Sequence, residues 1–151
     1  VVKNLKTMGM SLKPCTVFTT GKESFEIVDD EVEIGLGIHG EPGTHREKMT
    51  TANEFTEKLF KKIYAESNVQ KGDKFAVLVN GLGETTLIEL FIVNNHLQDL
   101  LKDKGVEVAK TLVGNYMTSL DMGGFSITLL KLDKEMEELL NAEEDTIAFW
   151  F

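Results

Sequence analysis

His39 is the residue whose neighbours best suit it for chemistry. It lies in Gly35-Leu-Gly-Ile-His-Gly-Glu-Pro-Gly43, where four glycines and a proline surround one imidazole. Glycine permits backbone conformations that other residues resist, and Pro42 biases Glu41 toward an extended one. The segment therefore predicts a fixed bend that delivers a histidine, with the bare α-carbons of Gly35 and Gly37 leaving room beside the ring. A neutral imidazole is a nucleophile. Toward a phosphoryl donor it becomes a phosphohistidine; toward a ketone or aldehyde it adds to the carbonyl carbon and gives a hemiaminal. The second reaction selects sharply, because a polyol such as glycerol has no carbonyl to attack. A histidine merely hydrogen-bonded in a turn is the plainer reading of the same spacing.

The other motifs carry less. His39, Glu41 and His45 are ligand types that zinc accepts, but Pro42 and Gly43 leave their geometry unspecified and no cysteine pair supports them; no metal is expected. Gly35-x-Gly-x-x-Gly40 matches the dinucleotide fingerprint as a string. That fingerprint works only when its last glycine opens a helix whose N-terminus holds the pyrophosphate, and here Glu41-Pro-Gly43 intervenes. No Walker A pattern occurs. Asn80-Gly-Leu-Gly83 stands where ligands bind in α/β folds, after a strand and before a helix, yet a strand-to-helix turn is the simpler reading. Asp121 in Asp121-Met-Gly-Gly124 reads as a turn or cap residue, and His96 as a surface or packing histidine.

These residues need elements to hold them. Val32, Ile34, Leu36 and Ile38 alternate with Glu33, Gly35, Gly37 and His39, the period of a strand with one buried face. Residues 1–10 read as a short helix, 14–18 as a connection and short strand, and 22–30 as a hairpin arm. A helix over 51–67 opens on a Thr51/Glu54 capping box, with Phe55, Leu59, Phe60 and Ile63 as its apolar stripe. Residues 75–79 form an apolar run of strand length, as in a sheet covered on both faces. A helix over 86–104 follows, with a Thr86/Glu89 box, apolar positions at Ile88, Phe91, Leu97 and Leu101, and Gly105 past its end. Strands are expected over 106–113 and 125–132, then a helix over 133–141 with Met136, Leu139 and Leu140 on one side. The apolar tail 147–151 is expected to pack back as an edge strand or plug. The architecture predicted is α/β, a mixed β-sheet flanked by helices, in one domain spanning 1–151.

Composition bounds the partners. The chain has 151 residues, 42% of them hydrophobic, which suits a folded core rather than disorder. A net charge of −9 disfavours nucleic acid and anionic membranes as partners. No apolar run is long enough to span a bilayer, and the lone Cys15 suits a reducing, cytoplasmic setting. Val1 in place of a methionine predicts a domain cut from a longer protein.

Gly37-Ile-His-Gly-Glu-Pro-Gly43 and Thr118-Ser-Leu-Asp-Met-Gly-Gly-Phe-Ser-Ile-Thr-Leu-Leu130 together resemble the dihydroxyacetone-binding (DhaK) family of dihydroxyacetone kinases. Met8-Gly-Met10, Pro14-Cys-Thr-Val17 and Val79-Asn-Gly-Leu-Gly83 agree more loosely, so the resemblance covers nearly the whole chain. It implies the C-terminal domain of the DhaK fold, without the N-terminal half that holds the family's Gly-Ser-Gly-His loop and assisting aspartate. It further implies that His39 binds dihydroxyacetone covalently through Nε2 as a hemiaminal, for phosphorylation at a terminal hydroxyl. Gly37, Gly40, Glu41 and Asn80 are the accompanying candidates for substrate contact. No cofactor is implied in this chain; ADP or ATP with magnesium is expected on a separate DhaL subunit, recharged by DhaM in the phosphotransferase-dependent type, and a homodimer is expected. No nucleotide domain follows Phe151, which favours the multi-subunit type. On this reading the chain alone is inactive. Asn80-Gly81 replaces the family's more usual Asn-Ser. The family's dihydroxyacetone-sensing transcriptional co-activators keep the histidine, so they remain the second reading, and a phosphohistidine carrier the third.

Overall fold

Strand pairing, more than local propensity, sets the start of the chain. A computed structural model describes residues 1–37, 41–143 and 145–147. After one 3₁₀ turn at Val2–Asn4, residues Leu5–Lys13 form strand β1, where a short helix is the sequence expectation. β1 pairs antiparallel along its length with β8 (Gly123–Leu132), from Leu5↔Leu130 to Lys13↔Gly123. A run this short gains little from helix propensity, and the long-range ladder overrides it. Gly9 fits because a Cβ there would lie 3.2 Å from Ser126 Cβ across the ladder.

The remaining elements follow in order. β2 (Thr16–Val17) and β3 (Lys22–Glu23) form a small separate ribbon. β4 (Glu31–Ile34) pairs with β1 and with β5 (His45–Lys48). Then come α1 (Ala52–Glu66), β6 (Lys74–Gly81), α2 (Leu87–Asp103), β7 (Glu107–Gly114), β8, and α3 (Lys134–Leu140). The main sheet has six strands in the order β5-β4-β1-β8-β6-β7. Among the described strands only β6 and β7, joined by the α2 crossover, run parallel; the expected mixed α/β sheet flanked by helices is observed. The central strand is shorter than the alternation predicts, because the chain leaves it at Gly35 (φ +82°). β5 escapes sequence reading: His-Arg-Glu-Lys has no apolar face, and this strand is held by its backbone ladder to β4 with ion pairs from Arg46 to Glu33 and from Glu47 to Lys58.

Parity divides the sheet into two unlike faces. Phe55, Leu59, Phe60 and Ile63 of α1 and Leu90, Val93, Leu97 and Leu101 of α2 pack on Met10, Val32, Ile34, Phe75, Val77, Val79, Phe125, Ile127 and Leu129. Strand residues of the other parity, among them Thr7, Asn80, Ser126 and Thr128, turn away from both helices. Lys74 shares that parity and pairs with Glu137 of α3 at 2.9 Å.

The helix starts agree with expectation and one stripe does not. At α1, Glu54 N–H donates to Thr51 Oγ1 (3.3 Å) while Thr51 N–H donates to Glu54 Oε2 (3.2 Å). At α2, Thr86 N–H donates to Glu89 Oε2 at 2.8 Å. Ile88 and Phe91, expected inside, are 71% and 51% exposed. The helical period through Leu97 and Leu101 passes back through Val93 and Leu90 instead. No described helix is long and apolar enough to cross a membrane.

Hydrogen bonds hold several described carboxylates below their ordinary range: Asp73 by Lys131, Asp121 by the Thr16 backbone N–H, and Glu89 by Thr86. Each favours the folded state only while ionised, so its contribution is whole above the ordinary value near pH 4 and disappears as pH falls through the lower folded value. Urea midpoints should therefore decline below about pH 4, and Asp73→Asn should flatten that decline; an unchanged slope would contradict the assignment. Leu97→Ala, at a fully buried position, should cost about 2–5 kcal/mol in urea unfolding, and Ile88→Ala within about 0.5 kcal/mol.

Candidate functional site

The connection from β4 to β5 is a loop with a closed neck. Gly35 N–H donates to Gly9 O (2.7 Å) as the chain leaves the sheet, and Thr44 donates to Ile34 O through both N–H (2.7 Å) and Oγ1 (3.1 Å) as it returns. Inside the neck Gly37 N–H donates to Glu41 O at 3.1 Å, and Gly43 N–H to Glu33 Oε1 at 2.5 Å. Ile38, His39 and Gly40 lie outside the described residues, and two of them, His39 and Gly40, are sequence-predicted site residues. Gly37 and Glu41, which flank them, are in contact.

The glycines serve close approach rather than vacancy. A Cβ on Gly35 would meet Thr44 Cγ2 at 3.1 Å and Met8 Cε at 3.2 Å, and one on Gly37 would meet Glu41 Cβ at 2.8 Å. A side chain at either position would thus meet the chain's own packing, and its absence is what lets the neck shut.

Open space lies next to the neck, on the sheet face turned from α1 and α2. A cavity of about 680 Å³ is bounded by Gly35, Leu36, Gly37 and Thr44 of the loop, Thr7 and Gly9 of β1, Leu78 and Asn80 of β6, and Ser126 and Thr128 of β8. Met117, Ser119 and Met122 from the segment between β7 and β8 complete its wall. Thr7 Oγ1 and Thr128 Oγ1 share a 2.8 Å hydrogen bond on its floor. The lining is thus largely apolar with a few fixed hydroxyls and one amide, the usual make-up of a small-molecule site.

Asn80 is in that wall, 2% exposed, and its amide is committed to the protein. Oδ1 accepts from Tyr116 N–H (2.9 Å) and Met117 N–H (2.8 Å), while Nδ2 donates to Met117 O (2.8 Å) and Ser126 Oγ (3.4 Å). It clips the β7–β8 segment to the sheet, and a ligand would compete with four existing bonds. Leu82 O extends the clip by accepting from Ser119 N–H (3.0 Å) and Oγ (2.6 Å). Asn80-Gly-Leu-Gly83 therefore behaves as the turn that its composition favours. Glu89 occupies the N-terminus of α2 with a carboxylate, which opposes a phosphate there.

The remaining candidates have structural partners. Asp121 Oδ1 accepts from Thr16 N–H at 2.8 Å, tying the β2–β3 ribbon to the β7–β8 segment, a long-range role for a residue expected to cap locally. His96 Nε2 meets Glu57 Oε1 at 3.0 Å, between α2 and α1. His45 Nδ1 is 3.0 Å from Thr44 Oγ1. Among the described residues, no group of three or more His, Cys, Asp or Glu is placed to hold a metal. Glu33 escaped sequence reading, since its parity predicts a solvated side chain; its only signal was a charge between two core residues, Val32 and Ile34.

Residues 1–148 match the Dak1 domain family. A protein of Listeria innocua named PTS-dependent dihydroxyacetone kinase 1, dihydroxyacetone-binding subunit DhaK, is 49% identical over 150 residues, covering 99% of this chain and 46% of that one. Among solved structures, the dihydroxyacetone kinase operon co-activator Dha-DhaQ superposes with a TM-score of 0.85 at 38% identity, over 93% of this chain and 44% of that one. The dihydroxyacetone kinase of C. freundii in complex with AMP-PNP and Mg²⁺ does so with a TM-score of 0.83 at 26% identity, over 97% and 27%. The chain spans less than half the length of the curated relatives it matches, 46% of the L. innocua protein and 27% of the human triokinase/FMN cyclase among them. With a match of this extent, the chain belongs to the Dak1 domain family.

Proposed function

We propose that this chain is the substrate-anchoring part of a dihydroxyacetone kinase, the C-terminal half of a DhaK-type subunit, and that His39 holds dihydroxyacetone as a hemiaminal. The observation that carries the reading is the closed neck from Gly35 to Thr44, which brings the loop containing His39 to the edge of a cavity of about 680 Å³, in a chain 49% identical to a dihydroxyacetone-binding subunit. Such a volume exceeds what a three-carbon ketone fills, which suits a site whose remaining walls come from more polypeptide than these 151 residues.

The chemistry balances without a cofactor in this chain. The Nε2 lone pair of a neutral imidazole attacks the carbonyl carbon, and the C=O π pair moves to oxygen, which takes up a proton. The ring gives up its Nδ1 proton, so imidazole and ketone combine with nothing lost. The bond fixes the terminal hydroxyls for phosphoryl transfer, a step that depends on positioning. ADP or ATP with magnesium belongs, on this reading, to a nucleotide-binding DhaL partner recharged by DhaM, with the subunit a cytoplasmic homodimer. Gly37, Gly40 and Glu41 shape the anchor's surroundings, and Asn80 supports the cavity wall through the segment it clips.

The co-activator Dha-DhaQ, with its TM-score of 0.85, favours a second reading: a dihydroxyacetone sensor that binds the ligand in the same way without turnover. Supplying the full-length protein with the nucleotide-binding subunit and a phosphoryl donor separates the two. Product formation excludes the pure sensor; ligand binding without product excludes the kinase.

Crystals of the full-length protein soaked in dihydroxyacetone should show continuous density from His39 Nε2 at near-full occupancy, and an unbonded ligand would overturn the anchor. His39→Ala should fold normally and lose about tenfold or more of its preference for dihydroxyacetone over glycerol, about 1.4 kcal/mol. Titration calorimetry with both ligands reads the difference, and intact selectivity would contradict covalent anchoring.

A further inference from the structure

Glu33 is a buried carboxylate directly beneath the loop that carries His39. It lies on the β4 face turned from α1 and α2, opposite Ser11 in the β1–β4 register, and its side chain is 7% exposed. The returning limb of the loop rests on it. Gly43 N–H donates to Oε1 at 2.5 Å, and a Cβ on Gly43 would come within 2.6 Å of Glu33 Cγ, so only glycine lies this close. The second oxygen, Oε2, is buried with no hydrogen-bond partner among the described residues; it forms an ion pair with Arg46 of β5, with Nε 3.5 Å away and the side chain 42% exposed. A carboxylate so incompletely paired lowers stability, and an apolar residue of similar size would serve the core at least as well. The cost falls on one place, the return of the His39 loop to the sheet.

We propose that Glu33 is a positioning residue for His39. Resting on the reading of His39 as the covalent anchor, this role assigns one carboxylate oxygen to the loop (Gly43) and the other to the strand that follows it (Arg46). The outgoing limb is already fixed at Gly35 by Gly9 O. Both described limbs of the loop are thereby held where they leave and rejoin the sheet, and on this proposal that hold is what aligns His39. Carbonyl addition needs such alignment, since a displacement of about 1 Å at a reacting atom can cost about a hundredfold in rate. A carboxylate has an oxygen for each partner. Gln keeps an acceptor for Gly43 but loses the pairing with Arg46, and Ala loses both.

The test uses the full-length protein and its Glu33→Gln and Glu33→Ala variants. Hydrogen exchange without ligand should show peptides covering residues 41–47 exchanging about tenfold or more faster in Glu33→Ala, with α1 and β8 unchanged. Dihydroxyacetone affinity should fall about tenfold or more in Glu33→Ala while glycerol affinity stays level, and Glu33→Gln should recover most of the loss. A merely structural role would weaken both ligands together and give Gln no special standing. Wild-type ketone affinity in Glu33→Ala, or equal losses for both ligands, would overturn the proposal. Should Glu33→Ala fail to fold, Glu33→Gln and Arg46→Gln decide: each should show a smaller selective loss for the ketone, and none in either would overturn it. If wild-type protein itself does not favour dihydroxyacetone over glycerol, the anchor has failed instead, and the exchange data still report whether Glu33 holds the loop.

Discussion

The carbonyl of Ile34 is the point on which the site depends. It accepts two hydrogen bonds from Thr44, one from the backbone and one from the hydroxyl, and so brings the two ends of the loop within one residue of each other. Ile34 can hold that point because its side chain is sealed in the core and its backbone lies beside Met10. Met10 is fixed in turn by the ladder between β1 and β8. The loop is thus braced by the most interior part of the fold although it lies at a surface. Closing the neck at Ile34 and Thr44 shortens the span of chain that leaves the sheet between β4 and β5.

The two faces of the sheet divide the work. Alternation puts Phe75, Val77 and Val79, or Phe125, Ile127 and Leu129, against α1 and α2, where burial supplies stability. The same alternation sends Asn80, Ser126 and Thr128 to the other side, beside the cavity. Neither set can change parity without exchanging core for cavity. Stability and site are therefore written in one strand pattern, and Asn80 marks their junction. It sits on the cavity side, yet its bonds fix the segment that walls the cavity.

Much of this was legible in the sequence, for identifiable reasons. The helices announced themselves through capping residues and the α1 stripe, which are local signals. The mixed α/β character followed from β6, α2 and β7. β1 was misread because its identity comes from a partner more than a hundred residues away, and no local rule reports such pairing. Ile88 and Phe91 were misplaced because two apolar stripes compete on α2 and only packing against the sheet chooses between them. β5 and Glu33 were invisible for a shared reason: polar residues whose burial or pairing is imposed by neighbours look like ordinary surface. The family was readable from two motifs, 37–43 and 118–130, and the match over residues 1–148 agrees. His39 and Gly40 lie outside the described residues and rest on sequence alone.

The central claim, that a carbonyl carbon becomes bonded to His39, is tested most directly by carbon NMR. Dihydroxyacetone labelled with ¹³C at its carbonyl would be added to the full-length protein and to its His39→Ala variant. A bound resonance in the tetrahedral region, distinct from the free hydrate, is expected in the first and none in the second. A bound ligand whose labelled carbon keeps its ketone shift, or a tetrahedral signal that persists without His39, would contradict it.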